Sequence, residues 1–417
     1  MFSGFNVHPL RTVLINTITI AVASGLLANR RRHPPLAPAP WPRDRLAPYV
    51  EIIVPARDEE RNISLVLDTL TDQSYPRGSW GVTVVDDHST DGTRTIAERY
   101  AHARPHVRVM AARDLPQGWT GKNNAIYSGF LAAPLHAVYL LFVDADTTVD
   151  RHLLSTIVAA AEARDAALMS LVLDVRLETF WQRLLVPQVG EMYALLCGTM
   201  DNVNRQGDTA AANGQCMLVS YDAYSRHGAS PGVRGDVAED RALAAAIKRN
   251  SGTIRLEHGE RLGSVEPYRT FGEAWAGYSK TLYWAAGRDT LRALAVVTAL
   301  EVYAHLPVWS LVHALLDRGY PHRRSALGNA PLQLIPMLIL RLAVCSLMRI
   351  PARYALSYPL AVLVGNAMLL NSLVRSRSKQ GVKWKGRSYG GRQKIKDKPR
   401  RFGRSAGVIP KEESSSV

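Results

Sequence analysis

Between residues 49 and 290, short apolar runs alternate with amphipathic segments, and this alternation constrains the fold more than any other feature of the chain. The apolar runs have the length of buried strands, and the segments between them have the 3.6-residue period of helices. A strand–helix–strand–helix order predicts an α/β fold with a mostly parallel, Rossmann-like sheet. The predicted strands are Tyr49–Val54, Val82–Val85, Val107–Ala111 and Val138–Val143, and the predicted helices are Asn62–Leu70, Thr93–Tyr100 and Asn123–Leu131.

Long apolar stretches flank this region on both sides. Residues 12–29 carry no charge and are followed by three arginines, a pattern typical of a membrane-spanning helix whose basic end is cytoplasmic. Three more apolar stretches follow residue 290. We therefore expect an N-terminal transmembrane anchor (1–32), a proline-rich linker (33–48), an α/β domain (49–290), membrane-associated and transmembrane helices (291–374) and a basic cytoplasmic tail (375–417).

The net charge of +15 is concentrated in the tail, where thirteen basic residues between 375 and 404 face only Asp397. Such a run is typical either of a solvated segment or of one that binds anionic lipid, and its place after an apolar stretch favours lipid over nucleic acid. If the α/β domain and the tail are both cytoplasmic, the chain must cross the membrane an even number of times after residue 290. We expect 331–349 and 352–374 to cross, with the turn Arg349–Arg353 outside and 291–316 along the interface.

Acidic residues follow two of the predicted strands. Asp86 and Asp87 end the second strand, and Asp144 and Asp146 follow the fourth with one residue between them. Ligands of parallel sheets bind beyond the carboxyl ends of the strands. Two carboxylates spaced in this way can face one hard cation, so we expect a Mg or Mn site at Asp144 and Asp146. At the second strand, the alternative is that an aspartate, Asp91 above all, only caps the next helix.

Two further segments carry groups suited to catalysis or binding. Glu239 and Asp240 open a helical segment, where a carboxylate is favoured in its ionised form and can act either as a general base or as a helix cap. Lys122 lies in a loop with Gly118 and Gly121, where it can meet phosphate charge or simply be solvated. The three cysteines show no paired spacing, which argues against a disulfide scaffold and a structural zinc site.

Together these motifs resemble the inverting family-two glycosyltransferases, which have the GT-A fold. Val54–Glu60 resembles the first-strand motif of the family, Val85–Thr93 resembles the second, and Asn213–Met217 resembles the segment before the catalytic loop. Within that family the chain resembles the hopanoid-associated and carotenoid-type lipid glycosyltransferases. The residues that carry this closer resemblance are Gly118–Lys122, Tyr268–Phe271, Gly277–Lys280 and Trp384–Arg387.

The resemblance implies a role for each matching residue. Asp240 is the implied catalytic base, with Glu239 beside it in the acidic pair, and Asp144 and Asp146 are the implied metal ligands. The chain lacks the Gln-x-x-Arg-Trp motif of the processive polysaccharide synthases, which favours transfer of a single sugar, and Lys280 or Arg269 is a candidate replacement. The implied nucleotide-sugar-binding residues are Pro55, Arg57, Glu59, Asp87, Lys122, Asp144 and Lys280.

We therefore expect a metal-dependent, hexosyltransferase-type enzyme of the cytoplasmic membrane, with a nucleotide-sugar donor, a lipid acceptor (isoprenoid, hopanoid or carotenoid-like) and no nucleic acid partner. The alternatives are a processive polysaccharide synthase, a membrane nucleotidyltransferase, and a non-catalytic protein that binds membranes or nucleic acids through its tail. The apolar segment Thr179–Met200 is either a membrane-facing acceptor groove or a core helix broken at Pro187.

Overall fold

The computed structural model describes residues 6–377, 382–384 and 387–389, so most of the basic tail and part of the Trp384–Arg387 motif lie outside the described residues. The strands are β1 (Val50–Ala56), β2 (Trp80–Asp86), β3 (Val107–Ala111), β4 (Tyr139–Val143), β5 (Thr147–Val149), β6 (Leu168–Val172), β7 (Asp174–Val175), β8 (Cys216–Ser220), β9 (Ile254–His258), β10 (Gly263–Val265), β11 (Val382–Trp384) and β12 (Arg387–Tyr389). The helices are α1 (His8–Arg32), α2 (Ile63–Thr71), α3 (Thr93–Ala103), α4 (Gly121–Ala132), α5 (Leu153–Ala163), α6 (Phe180–Cys197), α7 (Met200–Asn204), α8 (Tyr221–His227), α9 (Pro231–Arg234), α10 (Glu239–Arg249), α11 (Phe271–Ala285), α12 (Thr290–Leu316), α13 (Arg323–Leu347) and α14 (Tyr358–Arg377), with a 3-10 helix at Ala352–Ser357.

A seven-stranded sheet forms the centre of the region from β1 to β10, which we call the sheet domain. Its strand order is β3-β2-β1-β4-β8-β6-β9. β1 pairs in parallel with both β2 and β4, β2 pairs in parallel with β3, and β6 with β9. Only β8 runs against its neighbours, β4 and β6. The predicted mostly parallel α/β sheet is therefore confirmed.

The strands form where apolar residues run without interruption, because both faces of the sheet are covered. Every residue of β2 is buried, as are all but one of β1. One face packs against α2, α3 and α5, and the other packs against α4, α8 and α10. β3 has the predicted bounds, and the other six predicted elements are each displaced or extended by a few residues, as is usual for element ends.

A third apolar core joins α6 of the sheet domain and the following helix α11 to four other helices. These four helices, α1, α12, α13 and α14, we call the helical bundle. α6 is continuous through Pro187, so the predicted break at that residue is wrong. One face of α6 is buried in this core, and Phe180 at its start is 48% exposed. The core-helix interpretation of Thr179–Met200 therefore holds for the buried face.

Among the residues that the structure describes, four helices are long and apolar enough to cross a membrane: α1, α12, α13 and the segment Ala352–Arg377. Polar side chains connect the start of α1, the end of α12 and the start of α13, which are the ends of these helices far from the sheet domain. Asn6 Nδ2 donates to Ser325 Oγ at 2.8 Å, and Arg11 Nη2 donates to Ser310 Oγ at 3.0 Å. The opposite end of α1 contacts the sheet domain, where Arg30 Nη1 lies 2.5 Å from Glu260 Oε1.

The turn between α13 and α14, which the sequence-based topology placed outside, contacts the sheet domain. Arg349 Nη1 is 3.7 Å from Asp174 Oδ2 in the sheet domain, and the Tyr354 ring is 5.9 Å from the Phe180 ring of α6. At the other end of α14, Arg377 bonds to Thr290 at the start of α12. Both ends of α14 thus contact the same side of the molecule, because its apolar face packs along α6 and α11.

Candidate active site

The predicted metal motif lies at the carboxyl end of β4, in the centre of the sheet. The Asp144 amide donates to the Gln215 carbonyl oxygen at 3.2 Å, which ties this turn to the start of β8. Asp144 is half-buried, whereas the Asp146 side chain is open to solvent on one side. The two carboxylates therefore face the cleft beyond the strand ends, as parallel-sheet topology predicts.

Lys122 connects this motif to the acidic pair. The Thr120 hydroxyl accepts the Asn123 amide and caps α4, which fixes Lys122 in the first turn of the helix. Its Nζ lies 2.7 Å from Asp144 Oδ1 and 2.7 Å from Glu239 Oε1. Burial lowers the pKa of Lys122, but the two carboxylates outweigh this effect and raise it well above its usual value. Lys122 is thus a charged bridge in this structure.

Asp240 occupies the second position of α10 and faces the same cleft. Its Oδ2 accepts the Gly214 amide at 2.9 Å, and its Oδ1 accepts the Arg241 amide at 2.7 Å. The N-cap of α10 is Ala238, not either acidic residue. A Cβ atom at Gly214 would lie 3.3 Å from Lys122 Nζ and 3.4 Å from Asp240 Oδ2. This glycine therefore lets the β8 loop approach both charged groups.

The cleft shifts the protonation of its carboxylates. Burial raises the pKa of Asp240 to about 7, Glu239 adds to the rise, and Lys122 and two backbone amides oppose it. The pKa of Asp146 also rises to about 7. The first cause is desolvation by the surrounding protein, and the second is repulsion between the Asp146 carboxylate and the charges of Asp144 and Glu59. Crowded carboxylates of this kind are typical of catalytic and ligand sites.

The residues predicted to hold the nucleotide gather at the ends of β1 and β2. Arg57 Nη1 donates to the Asp87 carbonyl oxygen at 2.7 Å, and its guanidinium is 3.9 Å from the Asp87 carboxylate. Asp87 is buried at 4% exposure, and Pro55 pairs with Val85 inside the sheet. Asp58 has a φ of 50° and accepts the Thr90 amide at 2.7 Å, which joins the two loops.

Glu59 and Asp91 make mainly local contacts in these loops. The Glu59 amide donates to the Thr93 hydroxyl at 2.7 Å, and its carboxylate accepts Asn62 Nδ2 at 2.8 Å. The carboxylate of Glu59 also acts electrostatically on Asp144 and Asp146. The N-cap of α3 is Gly92, so Asp91 is not the cap residue itself. Asp91 Oδ1 nevertheless accepts the amide of Thr93, the first residue of α3, at 3.0 Å, from the position before the cap.

Of the two basic residues considered as replacements for the missing motif, only Lys280 faces the cleft. Burial lowers the pKa of Lys280 to about 8, and the charges of Glu239, Asp144 and Asp240 act on it in the opposite direction. Arg269 instead pairs with Glu178 at 3.0 Å and Glu266 at 2.7 Å on the surface. The structure thus separates two residues that the sequence left equivalent.

Tyr268, which belongs to one of the motifs of the carotenoid-type resemblance, lies beside the metal motif in the structure. Burial raises the pKa of its hydroxyl to about 12, and Asp146 and Asp144 contribute to the rise. Its ring covers Gly277, where a Cβ atom would come within 2.1 Å of the ring. No sequence pattern indicates this role of Gly277, because the two residues lie nine positions apart and come into contact only when α11 packs against the Tyr268 ring.

Two carboxylates at this site fit a divalent cation. Among the described residues no group of three or more His, Cys, Asp or Glu side chains surrounds one point. Asp144 and Asp146 nevertheless supply the oxygen ligands that Mg²⁺ and Mn²⁺ prefer, and their mutual repulsion is what a cation would relieve. A cation held by one or two carboxylates completes its coordination with water and phosphate oxygens, so the donor set suits a metal that binds together with a diphosphate.

A comparison with protein families finds a match within the sheet domain. The model for "Glycosyl transferase family 2" matches residues 51–228, which contain the Asp87, Lys122 and Asp144 side chains described above. The predicted resemblance to this family is therefore confirmed, and the matched residues supply the Lys122 and Asp144 side of the cleft.

Two curated relatives match parts of this domain. The chain is 32% identical over 79 residues to glycosyltransferase AglE of Haloferax volcanii, which is 19% of this chain and 26% of that protein. It is also 32% identical over 139 residues to the 4,4'-diaponeurosporenoate glycosyltransferase of Staphylococcus aureus, which is 33% of this chain and 34% of that protein. The aligned segments thus span about a quarter to a third of the relatives. The second relative agrees with the predicted carotenoid-type resemblance.

A solved structure shares the fold over most of the chain. The mannosyltransferase PcManGT from Pyrobaculum calidifontis, solved in complex with GDP-Man and Mn²⁺, aligns with a TM-score of 0.52 and 19% identity. The alignment covers 88% of this chain and 98% of that one. The GT-A fold predicted from the sequence is therefore confirmed.

Proposed function

We propose that this protein is an inverting, hexosyltransferase-type glycosyltransferase that moves one sugar from a nucleotide-diphosphate sugar to a lipid acceptor at the cytoplasmic face of the membrane. The observation that carries this proposal is the position of Asp240. Its carboxylate, with a pKa near 7, lies in one cleft with the charged bridge from Lys122 to Asp144 and Glu239. The proposed base, Asp240, and the proposed diphosphate-binding residues thus line the same cleft.

In the proposed reaction Asp240 accepts the proton of the acceptor hydroxyl while that oxygen attacks the anomeric carbon. The bond from this carbon to the diphosphate oxygen breaks, and the nucleoside diphosphate leaves with the electron pair. A pKa near 7 suits this task, because about half of the base is then ionised at neutral pH and the ionised form accepts a proton readily. Attack from the side opposite the leaving group inverts the anomeric centre.

The leaving diphosphate develops negative charge, and this chain has cations placed to receive it. Lys122 and Lys280 act in the cleft electrostatically, and Asp144 and Asp146 would hold the divalent metal. A metal bound there supplies Lewis-acid stabilisation of the diphosphate. On the other side of the cleft, Asp87 and the Pro55–Glu59 loop are placed to bind the base and ribose of the nucleotide.

Glu239 shapes the site in this proposal instead of acting as the base. Its carboxylate is tied to Lys122 at 2.7 Å and is only 12% exposed. Asp240 has no lysine or arginine ion pair among the described residues, and only backbone amides are seen to donate to it. A carboxylate without a cationic partner keeps the higher proton affinity, so Asp240 is the better general base.

The helical bundle supports a membrane location for the acceptor. We propose that α1, α12 and α13 cross the membrane and that α14 does not. The Tyr358 ring at the start of α14 lies 6.3 Å from Tyr303, midway along α12, and Arg377 at its end contacts Thr290. α14 therefore follows only the half of α12 nearest the sheet domain. Two crossings after residue 290 keep the tail and the sheet domain on one side.

The distribution of arginines favours this arrangement. The ends that this arrangement places outside carry four arginines: Arg11 in α1, Arg318 in the loop between α12 and α13, and Arg323 and Arg324 at the start of α13. More arginines lie at the ends that meet the sheet domain, as the positive-inside bias requires for a cytoplasmic domain. These are Arg30, Arg31, Arg32, Arg349, Arg353, Arg375 and Arg377.

The domain division follows from the same arrangement. We propose an anchor at 1–32, a linker at 33–48, the glycosyltransferase domain at 49–290, the remaining helices at 291–374 and a basic tail at 375–417 that contacts anionic lipid. The linker contacts the domain, since the Leu36 amide donates to the His258 carbonyl oxygen at 2.9 Å. The linker therefore connects α1 to the edge strand β9 of the sheet.

Product analysis tests the proposed reaction. The purified full chain is incubated with nucleotide-sugars labelled in the sugar, a divalent metal and a lipid extract of the source membranes. We expect the label in the organic phase and a nucleoside diphosphate in the aqueous phase. Release of the labelled sugar as sugar 1-phosphate would instead identify nucleotidyl transfer, and a ladder of growing products would identify a processive synthase.

A further inference from the structure

A cavity of about 30 Å³ lies between α6 of the sheet domain and the helical bundle. It is enclosed by the start of α14, the 3-10 helix and the last turns of α13, so it is formed by elements other than those of the candidate active site. One water needs about 10–15 Å³ of such volume, so the cavity has room for roughly two oxygen-sized atoms. Its polar lining residues are Arg183, Gln188, Arg341, Tyr354, Ser357 and Tyr358.

The side chain of Gln188 is the first sign that this cavity receives a polar ligand. Gln188 is only 1% exposed, and neither its amide nitrogen nor its amide oxygen has a hydrogen-bond partner among the described residues. A buried polar group left without partners costs about 1–3 kcal/mol. Gly365 packs against the Gln188 side chain, where a Cβ atom would lie 3.2 Å from its Cγ.

Two guanidinium groups give the cavity its charge. Arg341 Nη2 donates to both carboxylate oxygens of Glu191 at 2.9 and 3.0 Å, and its guanidinium lies 3.4 Å from the centre of the Tyr358 ring. Its Nε is buried without a partner. Arg183 Nε donates to the Leu177 carbonyl oxygen at 3.0 Å, and no carboxylate pairs with Arg183 within the described ranges. Two positive charges thus face one negative charge.

The free groups around the cavity are mostly donors. The Gln188 amide offers two N–H bonds, Arg341 offers Nε–H, and the Arg183 guanidinium has no anionic partner in the part of the chain that the structure describes. Glu191 is already occupied by Arg341, so its charge is largely neutralised within the pair. Donors with net positive charge bind oxygen atoms that carry negative charge.

We propose that this cavity binds an oxyanion, a phosphate or carboxylate group that places two oxygen atoms between Gln188, Arg341 and Arg183. The anion comes either from the headgroup of a membrane lipid or from free phosphate. The lipid source fits the position of the cavity, because the neighbouring face of the 3-10 helix and α14 exposes Leu356, Leu360 and Leu363 at 75%, 45% and 55%. Acyl chains would cover this face while the headgroup enters the cavity.

Thermal unfolding of the delipidated, detergent-purified full chain tests this proposal. The additions are inorganic phosphate against chloride at equal ionic strength, and phosphatidylglycerol against diacylglycerol in the same micelles. We expect phosphate, phosphatidylglycerol or both to raise Tm by several degrees, since a ligand that binds only the folded state stabilises it. A rise with phosphate identifies a free anion as sufficient, and a rise with phosphatidylglycerol alone identifies a lipid headgroup.

Two variants show whether the effect belongs to the cavity. Gln188→Leu keeps the size of the side chain but removes the unpartnered amide, so without ligand its Tm should equal or exceed that of the natural protein, and the ligand response should be lost. Arg183→Gln should lose at least half of the response. Arg94→Gln, which removes an arginine paired with Glu98 on the surface of α3, should respond in full.

Two outcomes would overturn the proposal. In the first, neither phosphate nor phosphatidylglycerol raises Tm above its matched control, and the cavity then holds water only. In the second, both the Gln188→Leu and Arg183→Gln proteins keep the full response, and the anion then binds elsewhere.

Discussion

Lys122 Nζ lies 2.7 Å from Asp144 Oδ1, so the lysine already neutralises the carboxylate that is expected to face the donor diphosphate. The same ammonium group holds Glu239 at 2.7 Å. An ammonium in this position limits the repulsion among the carboxylates, and in the proposed reaction it also attracts the diphosphate. Donor binding should therefore depend on the charge at position 122.

Replacing Lys122 with Met should weaken the binding of a nucleoside diphosphate about ten- to a hundred-fold, because a hydrogen bond to a charged group is worth roughly 1.5–3 kcal/mol. Lys122→Arg should lose less. Calorimetric titration of the detergent-purified protein measures this affinity. Lys248→Met is the control, because Lys248 Nζ bonds the carbonyl oxygens of Val203 and Thr209, away from the cleft. Unchanged affinity of Lys122→Met would remove this lysine from the donor site.

Replacing Asp240 with Asn should lower kcat by about a hundred- to ten-thousand-fold, because loss of a general base typically has this cost. Asn keeps the size of the side chain and one oxygen to accept the Gly214 amide, so donor affinity should hardly change. Glu239→Gln should lose clearly less turnover. If Asp240 only supported the loop, the Asn variant would be nearly fully active, and the proposed base would be wrong.

The rate should fall at acid pH because of the same carboxylate. The pKa of Asp240 is raised from its usual range to about 7, so the group binds a proton below that pH and ceases to be a base. We expect kcat/KM to be level above pH 7 and to fall about tenfold per pH unit below it. A profile that stays level down to pH 5 would contradict this prediction.

Metal removal should abolish turnover. Excess EDTA should stop the reaction, and added Mg²⁺ or Mn²⁺ should restore it, because the diphosphate needs a counter-charge as it leaves. Asp146→Ala should lose turnover and should also weaken binding of Mn²⁺ measured by electron paramagnetic resonance. Asp222→Ala, which removes a surface carboxylate paired with Arg226, should behave as the natural protein. Full activity in EDTA would show that Asp144 and Asp146 hold no metal.

Cysteine labelling tests the three crossings. A cysteine at position 318, between α12 and α13, should react with a membrane-impermeant maleimide applied to intact cells, whereas a cysteine at 353 should react only after permeabilisation. The natural protein gives the background, since Cys216 and Cys345 are buried and Cys197 is half-buried. Labelling of position 353 in intact cells would instead support a span at 352–374.

The apolar patterns determined the fold class and the position of the cleft. β1 and β2 are continuous apolar runs because both of their faces are covered, and runs of this kind remain visible in sequence. Acidic residues that follow such strands must lie at one edge of the sheet, so the sequence alone predicts that Asp87, Asp144 and Asp146 lie near one another. These inferences depend only on local periodicity and on strand direction.

The partners of each charged group were decided by the tertiary structure alone. Nothing in the sequence shows that Lys122 bridges residues 144 and 239, or that Lys280 faces the cleft while Arg269 pairs with Glu178 and Glu266 on the surface. Apart from the pair of Arg269 and Glu266, these contacts join positions far apart in the chain, and their geometry arises only when helices pack on the sheet.

The course of α14 was likewise decided by packing. Its composition is that of a membrane span, so hydropathy alone places it across the bilayer. In the folded chain Asn371 Nδ2 donates to Ser279 Oγ at 2.9 Å, and Ser372 Oγ accepts the Tyr283 amide at 3.0 Å, so the helix lies along α11. An apolar sequence indicates that a surface is shielded from water, but only tertiary contacts show whether protein or lipid shields it.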